Sequence, residues 1–222
     1  IALTEPDCGT DLQAIRTKAT LDGGDYVIDG NKTWITNSLE GNIMAVLVKT
    51  DTKTDPPHKG MSLLLVEKSA GYEGRKLEKL GYRGIDTGEL RFDKVRVPAE
   101  NLMGEQNLGF IAIMENFNLE RVALIAGALG MMRVCLAESI DWAQTRQTFG
   151  KPLIRHQVIR HKIAYMSARI DAVEAYLNQI CWNVNSGDMP VAEICKAKFF
   201  TTKALEFCAS EAMQVLGGVG YL

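Results

Sequence analysis

The sequence predicts an α+β fold: an antiparallel β-barrel or sandwich domain over residues 1–104, then an antiparallel helical bundle domain over residues 105–222. Two observations carry that prediction. Up to about Gly104, β-branched and aromatic residues are separated by Gly-Gly, Asp-Gly and Asn turn signals. Beyond it, apolar residues recur three or four apart, the period of one helix face.

In chain order, "KATLDGGDYVIDGNKTWITN" reads as a hairpin of strands. "IMAVLVKT" and "MSLLLVEK" are short continuous apolar runs, expected as strands covered on both faces. Between them "KTDTKTDPPHKG" is a polar loop with two prolines. "GELRFDKVRVPAENLMG" sets Leu90, Phe92, Val95 and Val97 against charges, and Pro98 ends it. In the second half, Val122, Ile125, Leu129, Met132, Leu136 and Ile140 form one helical stripe. A second helix is expected from about Gln157 to Val184, closed by "NSGD", and a third from about Val191 to Leu216, closed by Gly217 and Gly218. Long antiparallel helices packed as a bundle satisfy that pattern.

Composition bounds the function classes. The 222 residues are 46% hydrophobic and 23% charged, an ordinary globular balance. A net charge of −2 offers no basic surface for nucleic acid or an anionic membrane. No apolar run is expected to reach the roughly 20 residues of a membrane span. Cys8, Cys135, Cys181, Cys195 and Cys208 are scattered and lack metal-ligand spacing, so no metal site is expected. They read as buried free thiols of a soluble protein in a reducing compartment. Both ends of the chain read as cut, so the expectation is an internal fragment of a longer protein.

"NFNLERVALIAGALGMM" (116–132) places Glu120 at the head of a helical pattern, with Asn116 or Asn118 as a cap. A carboxylate in a first helical turn suits the helix dipole, so Glu120 has a purely structural reading. Yet Glu120, Ala123, Gly127 and Gly130 share one stripe. Two glycines inside a helix cost about 0.5–1 kcal/mol each relative to alanine, which suggests that something approaches closely there. A neighbouring helix or a slender ligand would meet that description.

"TEPDCGTD" (4–11) is turn-rich, with hydroxyls at Thr4 and Thr10; alone it is also a hairpin loop with Asx turns. Together with "GNKTWITNS" (30–38), "RQTFGKP" (146–152) and "QVLGGVGYL" (214–222), in that order, it closely resembles the acyl-CoA dehydrogenase family. The resemblance spans the middle β domain and part of the C-terminal helical domain. It implies a FAD-dependent enzyme forming a trans-2-enoyl-CoA from an acyl-CoA, with the β-hydride passing to flavin N5 and electrons to an electron-transfer flavoprotein. It also implies a homotetramer, a dimer of dimers. Leu3, Thr4 and Thr10 match flavin-contacting positions, with Thr10 in place of the commoner serine and also near the substrate. Trp34 matches the tryptophan that shields the flavin, and Thr36 the threonine beside N5. Arg146, Thr148 and Phe149, continued by His156 and Gln157, match residues at the pyrophosphate and adenine end of a neighbouring subunit's FAD. Gln214, Gly217 and Gly218 match its adenosine side. Arginine's planar fork suits pyrophosphate, and glycines let backbone amides come near phosphate oxygens.

In a minority of that family the base that removes the α-proton lies on the helix carrying an L-E-R-like run, and Glu120 matches that position. Burial beside an acyl chain should raise its basicity. Asn118 and Arg121 resemble positions on the substrate side. Arg121 lies about 100° round the helix from Glu120 and is not expected to pair with it. A glutamate beyond residue 222 is the alternative base. An acyl-CoA oxidase using O₂, or an inactive relative serving as an assembly partner, are the alternative functions. Chain length or branching of the acyl group is not legible.

Overall fold

The computed structural model describes residues 1–222. They divide into two compact units, Ile1–Glu115 and Asn116–Leu222.

In the first unit, β1 (Lys18–Asp22) and β2 (Asp25–Thr36) form the expected hairpin about Gly23 and Gly24. Then come β3 (Ile43–Lys49), β4 (Met61–Glu67), β5 (Glu73–Lys76), β6 (Thr87–Pro98) and β7 (Leu102–Met103). They make one seven-stranded sheet in the order β5-β6-β2-β1-β3-β4-β7. Every neighbouring pair is antiparallel except β1 and β3, which meet in parallel at Lys18 and Lys49. Of the barrel or sandwich expected, the strands form a mostly antiparallel sheet that does not close into a barrel. Closure needs two edge strands that pair with each other; here the edges are β5, four exposed residues, and β7, two residues.

The core holds Ile28, Val46, Val48, Leu64, Phe92 and Val97, all at most 1% exposed. The apolar runs of β3 and β4 are largely buried, as continuous runs require. In β6 the step from Phe92 to Val95 breaks strict alternation. Lys94 absorbs the extra residue at φ 52, where the ladder with β2 shifts between Ile28 and Gly30. The bulge keeps all four apolar side chains on the buried face.

The helices are α1 (Gly109–Thr145), α2 (Gln157–Asn185) and α3 (Val191–Leu216). In the second unit Ile125, Leu129 and Met132 of α1 pack with Met166, Ile170 and Val173 of α2 and with Ala204 and Cys208 of α3. Arg133–Glu174 at 2.6 Å links α1 to α2, and Lys162–Glu211 at 2.5 Å joins the start of α2 to the end of α3, as their antiparallel course allows. After α2, Gly187 at φ 88 donates its N–H to Val184 C=O and turns the chain.

Three expectations change. First, α1 begins at Gly109, so Asn116 and Asn118 lie inside the helix and cap nothing. Second, α1 carries an 18-residue stretch of mean hydropathy 1.6, of which 28% is buried, and so is long and apolar enough by composition to cross a membrane. Its Ile125–Leu129–Met132 stripe packs against α2 and α3 in the helical core. Third, all five cysteines are free, but only Cys8 and Cys208 are buried; Cys135 and Cys181 are half-buried and Cys195 is exposed.

Candidate functional site

In the first unit the N-terminal segment is laid onto the sheet by backbone bonds. Ala2 N–H donates to Ala45 C=O at 2.8 Å, and Thr33 N–H donates to Thr4 C=O at 2.9 Å. Leu3 and Thr4 are half-buried beside β2, and their own N–H groups take no backbone partner. Trp34 sits where the β2–β6 register shifts between Lys32 and Ile35. It has φ 61 and is 65% exposed. A bulky residue in the left-handed region is a costly outlier that persists only where its surroundings fix it, and such residues gather at functional sites. Thr36, opposite Thr87 on β6, is exposed as well. Leu3 and Thr4 are thus bonded to Lys32 and Thr33, the two residues before Trp34, whereas Thr10 lies in an exposed turn and makes no hydrogen bond.

Beneath this face lies a pair that the motif reading missed. Lys32 Nζ donates to Glu5 Oε1 at 2.9 Å and to Leu3 C=O at 2.9 Å, with the Lys32 side chain 0% and the Glu5 side chain 6% exposed. Glu5 also accepts the N–H of Arg16 at 2.6 Å and of Thr17 at 3.0 Å. Burial pushes the Glu5 carboxyl up, but the Lys32 charge, its hydrogen bond and the two backbone donors outweigh that and hold it below the ordinary value. Burial draws the Lys32 ammonium down against the pull of Glu5. Both shifts are downward, which favours the charged form of Glu5 but the neutral form of Lys32, and the convergence of three donors on Glu5 makes its carboxylate the firmly charged member. One signal was available: Tyr26, Ile28 and Lys32 share the inward parity of β2.

A pH dependence follows. The folded value for Glu5 lies below its unfolded value of about 4.3, so its stabilisation is complete above that pH and is lost as pH falls through the folded value. The urea midpoint should therefore drop as pH is lowered below about 4, with a shallower slope in Glu5→Gln. Equal slopes would remove Glu5 as the titrating group.

In the second unit, Arg146 and Thr148 line a cleft of ≈ 480 Å³ together with Gly217 and Gly218. Arg146 follows α1, its C=O accepting Leu153 N–H at 2.8 Å. Thr148 ends β8 (Gln147–Thr148), which pairs with β9 (Lys151–Pro152). The two-residue turn between them has Phe149 at φ 51 and Gly150 at φ 74, the sign pattern of a type I′ hairpin. Phe149 is 96% exposed at its tip. Thr148 Oγ1 lies 3.0 Å from His156 Nε2, and the His156 ring stands edge-on to Phe149 with centroids 6.1 Å apart. Gly217 caps α3 at φ 63, a conformation that favours glycine. Gln157 and Gln214 are exposed and do not line the cleft.

Glu120 lies well inside α1 rather than in its first turn, so the dipole explanation for it fails. It is exposed and has no hydrogen-bond or ion-pair partner. A Cβ built at Gly127 or Gly130 would meet nothing within 4 Å, so no other helix of this chain packs on the stripe they share with Glu120. Arg121 donates to Asn118 Oδ1 at 3.4 Å and lies 5.6 Å from the Phe117 ring centroid, away from Glu120 as expected. No cluster of His, Cys, Asp or Glu could hold a metal ion.

The chain matches two domain families: acyl-CoA dehydrogenase, middle domain, over residues 1–95, and acyl-CoA dehydrogenase, C-terminal domain, over residues 107–222. It is 40% identical over 221 residues to cyclohexane-1-carbonyl-CoA dehydrogenase of Syntrophus aciditrophicus, covering 99% of this chain and 57% of that protein. It is 32% identical over 224 residues to the mitochondrial isovaleryl-CoA dehydrogenase of Pongo abelii, covering 100% of this chain and 53% of that protein. The crystal structure of an acyl-CoA dehydrogenase from Geobacillus kaustophilus superposes with a TM-score of 0.96 at 37% identity, covering all of this chain and 59% of that one. The chain thus spans somewhat over half the length of the proteins it matches. With both domain families in sequence order and the same fold throughout, this chain belongs to the acyl-CoA dehydrogenase family.

Proposed function

We propose that the intact protein is a FAD-dependent acyl-CoA dehydrogenase that converts an acyl-CoA to its trans-2-enoyl-CoA and hands electrons to an electron-transfer flavoprotein. Residues 1–104 serve as its flavin- and substrate-facing β domain and residues 105–222 as part of its helical bundle. The observation that carries this reading is Trp34, a largely exposed indole held at φ 61 in a bulge of β2. A flat apolar ring presented in this way fits a flat aromatic cofactor. The donor set beside it fits as well. The unpartnered N–H groups of Leu3 and Thr4 suit the polar edge of a flavin, and the Thr36 hydroxyl lies two residues from the indole. Thr10, in the adjoining turn, completes this edge toward both the flavin and the substrate.

In the cleft of the helical unit, Arg146 holds pyrophosphate oxygens through its planar fork, and Gly217 and Gly218 bring backbone close to them. Thr148 is oriented by His156, while Phe149, exposed at its turn, meets the cofactor of a neighbouring subunit. Gln157 and Gln214 contact its adenosine portion. When bound, FAD supplies the hydride acceptor. Glu120 takes the α-proton of the thioester, with Asn118 and Arg121 on the substrate side. The exposed Trp182, Phe199 and Tyr165 of α2 and α3 support assembly into a homotetramer.

Intact protein purified gently should be yellow and should reduce an electron-transfer flavoprotein when given acyl-CoA. A panel of cyclohexane-1-carbonyl, isovaleryl and straight-chain thioesters identifies the substrate, and peroxide formation under air separates an oxidase. A colourless protein that refuses added FAD would sink this reading. Arg146→Ala should weaken FAD binding about ten- to a hundredfold, the usual loss for a hydrogen bond to a charged group. Unchanged affinity by equilibrium titration would remove Arg146 from the site.

A further inference from the structure

A buried ion pair is often no better for stability than apolar side chains of the same volume. Stability alone is thus a weak reason for a lysine with no exposed surface in a strand whose other inward residues include Tyr26 and Ile28. The geometry gives another reason. Between the pairs Lys32↔Leu90 and Ile35↔Gly88, β2 has two residues, Thr33 and Trp34, against only Glu89 on β6. Such a bulge is free to flatten or slip unless something fixes it. Here both residues preceding Trp34 are anchored on the N-terminal segment. Lys32 bonds Leu3 C=O and Glu5 Oε1, and Thr33 N–H bonds Thr4 C=O. Glu5 in turn grips the chain at Arg16 and Thr17, just before β1. Three segments therefore converge on one carboxylate, and Trp34 projects from the strand they hold.

We propose that the buried Glu5–Lys32 pair is the positioning device that holds Trp34 in its exposed left-handed conformation and keeps Leu3 and Thr4 beside it. Lys32 and Glu5 touch no ligand themselves; they act through Trp34 and the segment at residues 3–5. The consequence for flavin rests on the function proposed above, whereas the consequence for Trp34 does not.

The test uses intact protein labelled with 5-fluorotryptophan, with the Trp34 resonance identified by its loss in Trp34→Phe. In flavin-free Lys32→Met that resonance should shift and broaden, and FAD affinity should fall about tenfold or more as preorganisation is lost. Leu64→Ala, a core truncation on β4 of the same sheet, serves as the control for general destabilisation. It should leave both readouts at wild-type values. An unmoved Trp34 resonance in Lys32→Met, or an equal change in Leu64→Ala, overturns the proposal. If Lys32→Met does not fold, Glu5→Gln reads the same interaction from its other end. If neither folds while Leu64→Ala does, the pair is a general stability element and the proposal fails. A wild-type protein that binds no FAD defeats the proposed function, and the fluorine spectra still decide the positioning claim.

Discussion

On the function proposed above, replacing Glu120 by Gln in the intact protein should abolish enoyl-CoA formation while leaving FAD bound. The two side chains have the same shape, but the amide cannot accept the α-proton. A positioned general base contributes about a hundred- to ten-thousandfold, so kcat should fall by that order. Stability should change by no more than about 0.5 kcal/mol, because the side chain is exposed and has no hydrogen-bond partner. The position of α1 sharpens the case. With the helix starting at Gly109, Glu120 lies beyond the first turn, so the helix dipole gives no reason for its charge, although glutamate is a good helix former at an exposed position. A solvated charge remains the plain alternative. Steady-state turnover with dye reduction, together with the flavin absorbance of the same sample, separates the two. Wild-type turnover would move the base to a glutamate outside these residues.

Lys32→Met should lower the unfolding free energy by about 3–5 kcal/mol, because removing one partner leaves a carboxylate buried without its counter-charge. Met nearly matches the lysine stem in volume, so little of the loss comes from a cavity. Glu5 would keep the N–H groups of Arg16 and Thr17, too few to replace the ammonium it now faces. Lys203→Met offers the contrast. That lysine pairs with Glu206 at 2.8 Å but on an exposed surface, so its urea midpoint should scarcely move. A loss below about 1 kcal/mol in Lys32→Met would mean that the sheet repacks around Met without strain.

Periodicity located the helices well where it was long and regular. The span expected for α3, Val191–Leu216, is the one observed, and α2 extends only to Asn185. The stripe from Val122 to Met132 faces the core. The start of α1 was misplaced because the asparagines at 116 and 118 resemble caps, and a cap signal says nothing about helix already formed upstream. The choice between barrel and sandwich was not legible for a related reason: alternation shows which face of a strand is buried, not whether the edges of the sheet meet.

The amino-acid order by itself determined the strand-then-helix organisation, the family, and which residues to suspect, because period and motif are local properties of neighbouring positions. Tertiary structure decided what those residues experience. The burial of Lys32 depends on Glu5, 27 positions away, and the exposure of Trp34 depends on how β2 slips against β6. The cleft that Arg146 and Thr148 share with Gly217 and Gly218 exists only because α3 returns its end to the hairpin that follows α1. Desolvation and strain are set by whatever packs nearby in space, and a linear pattern does not specify those neighbours.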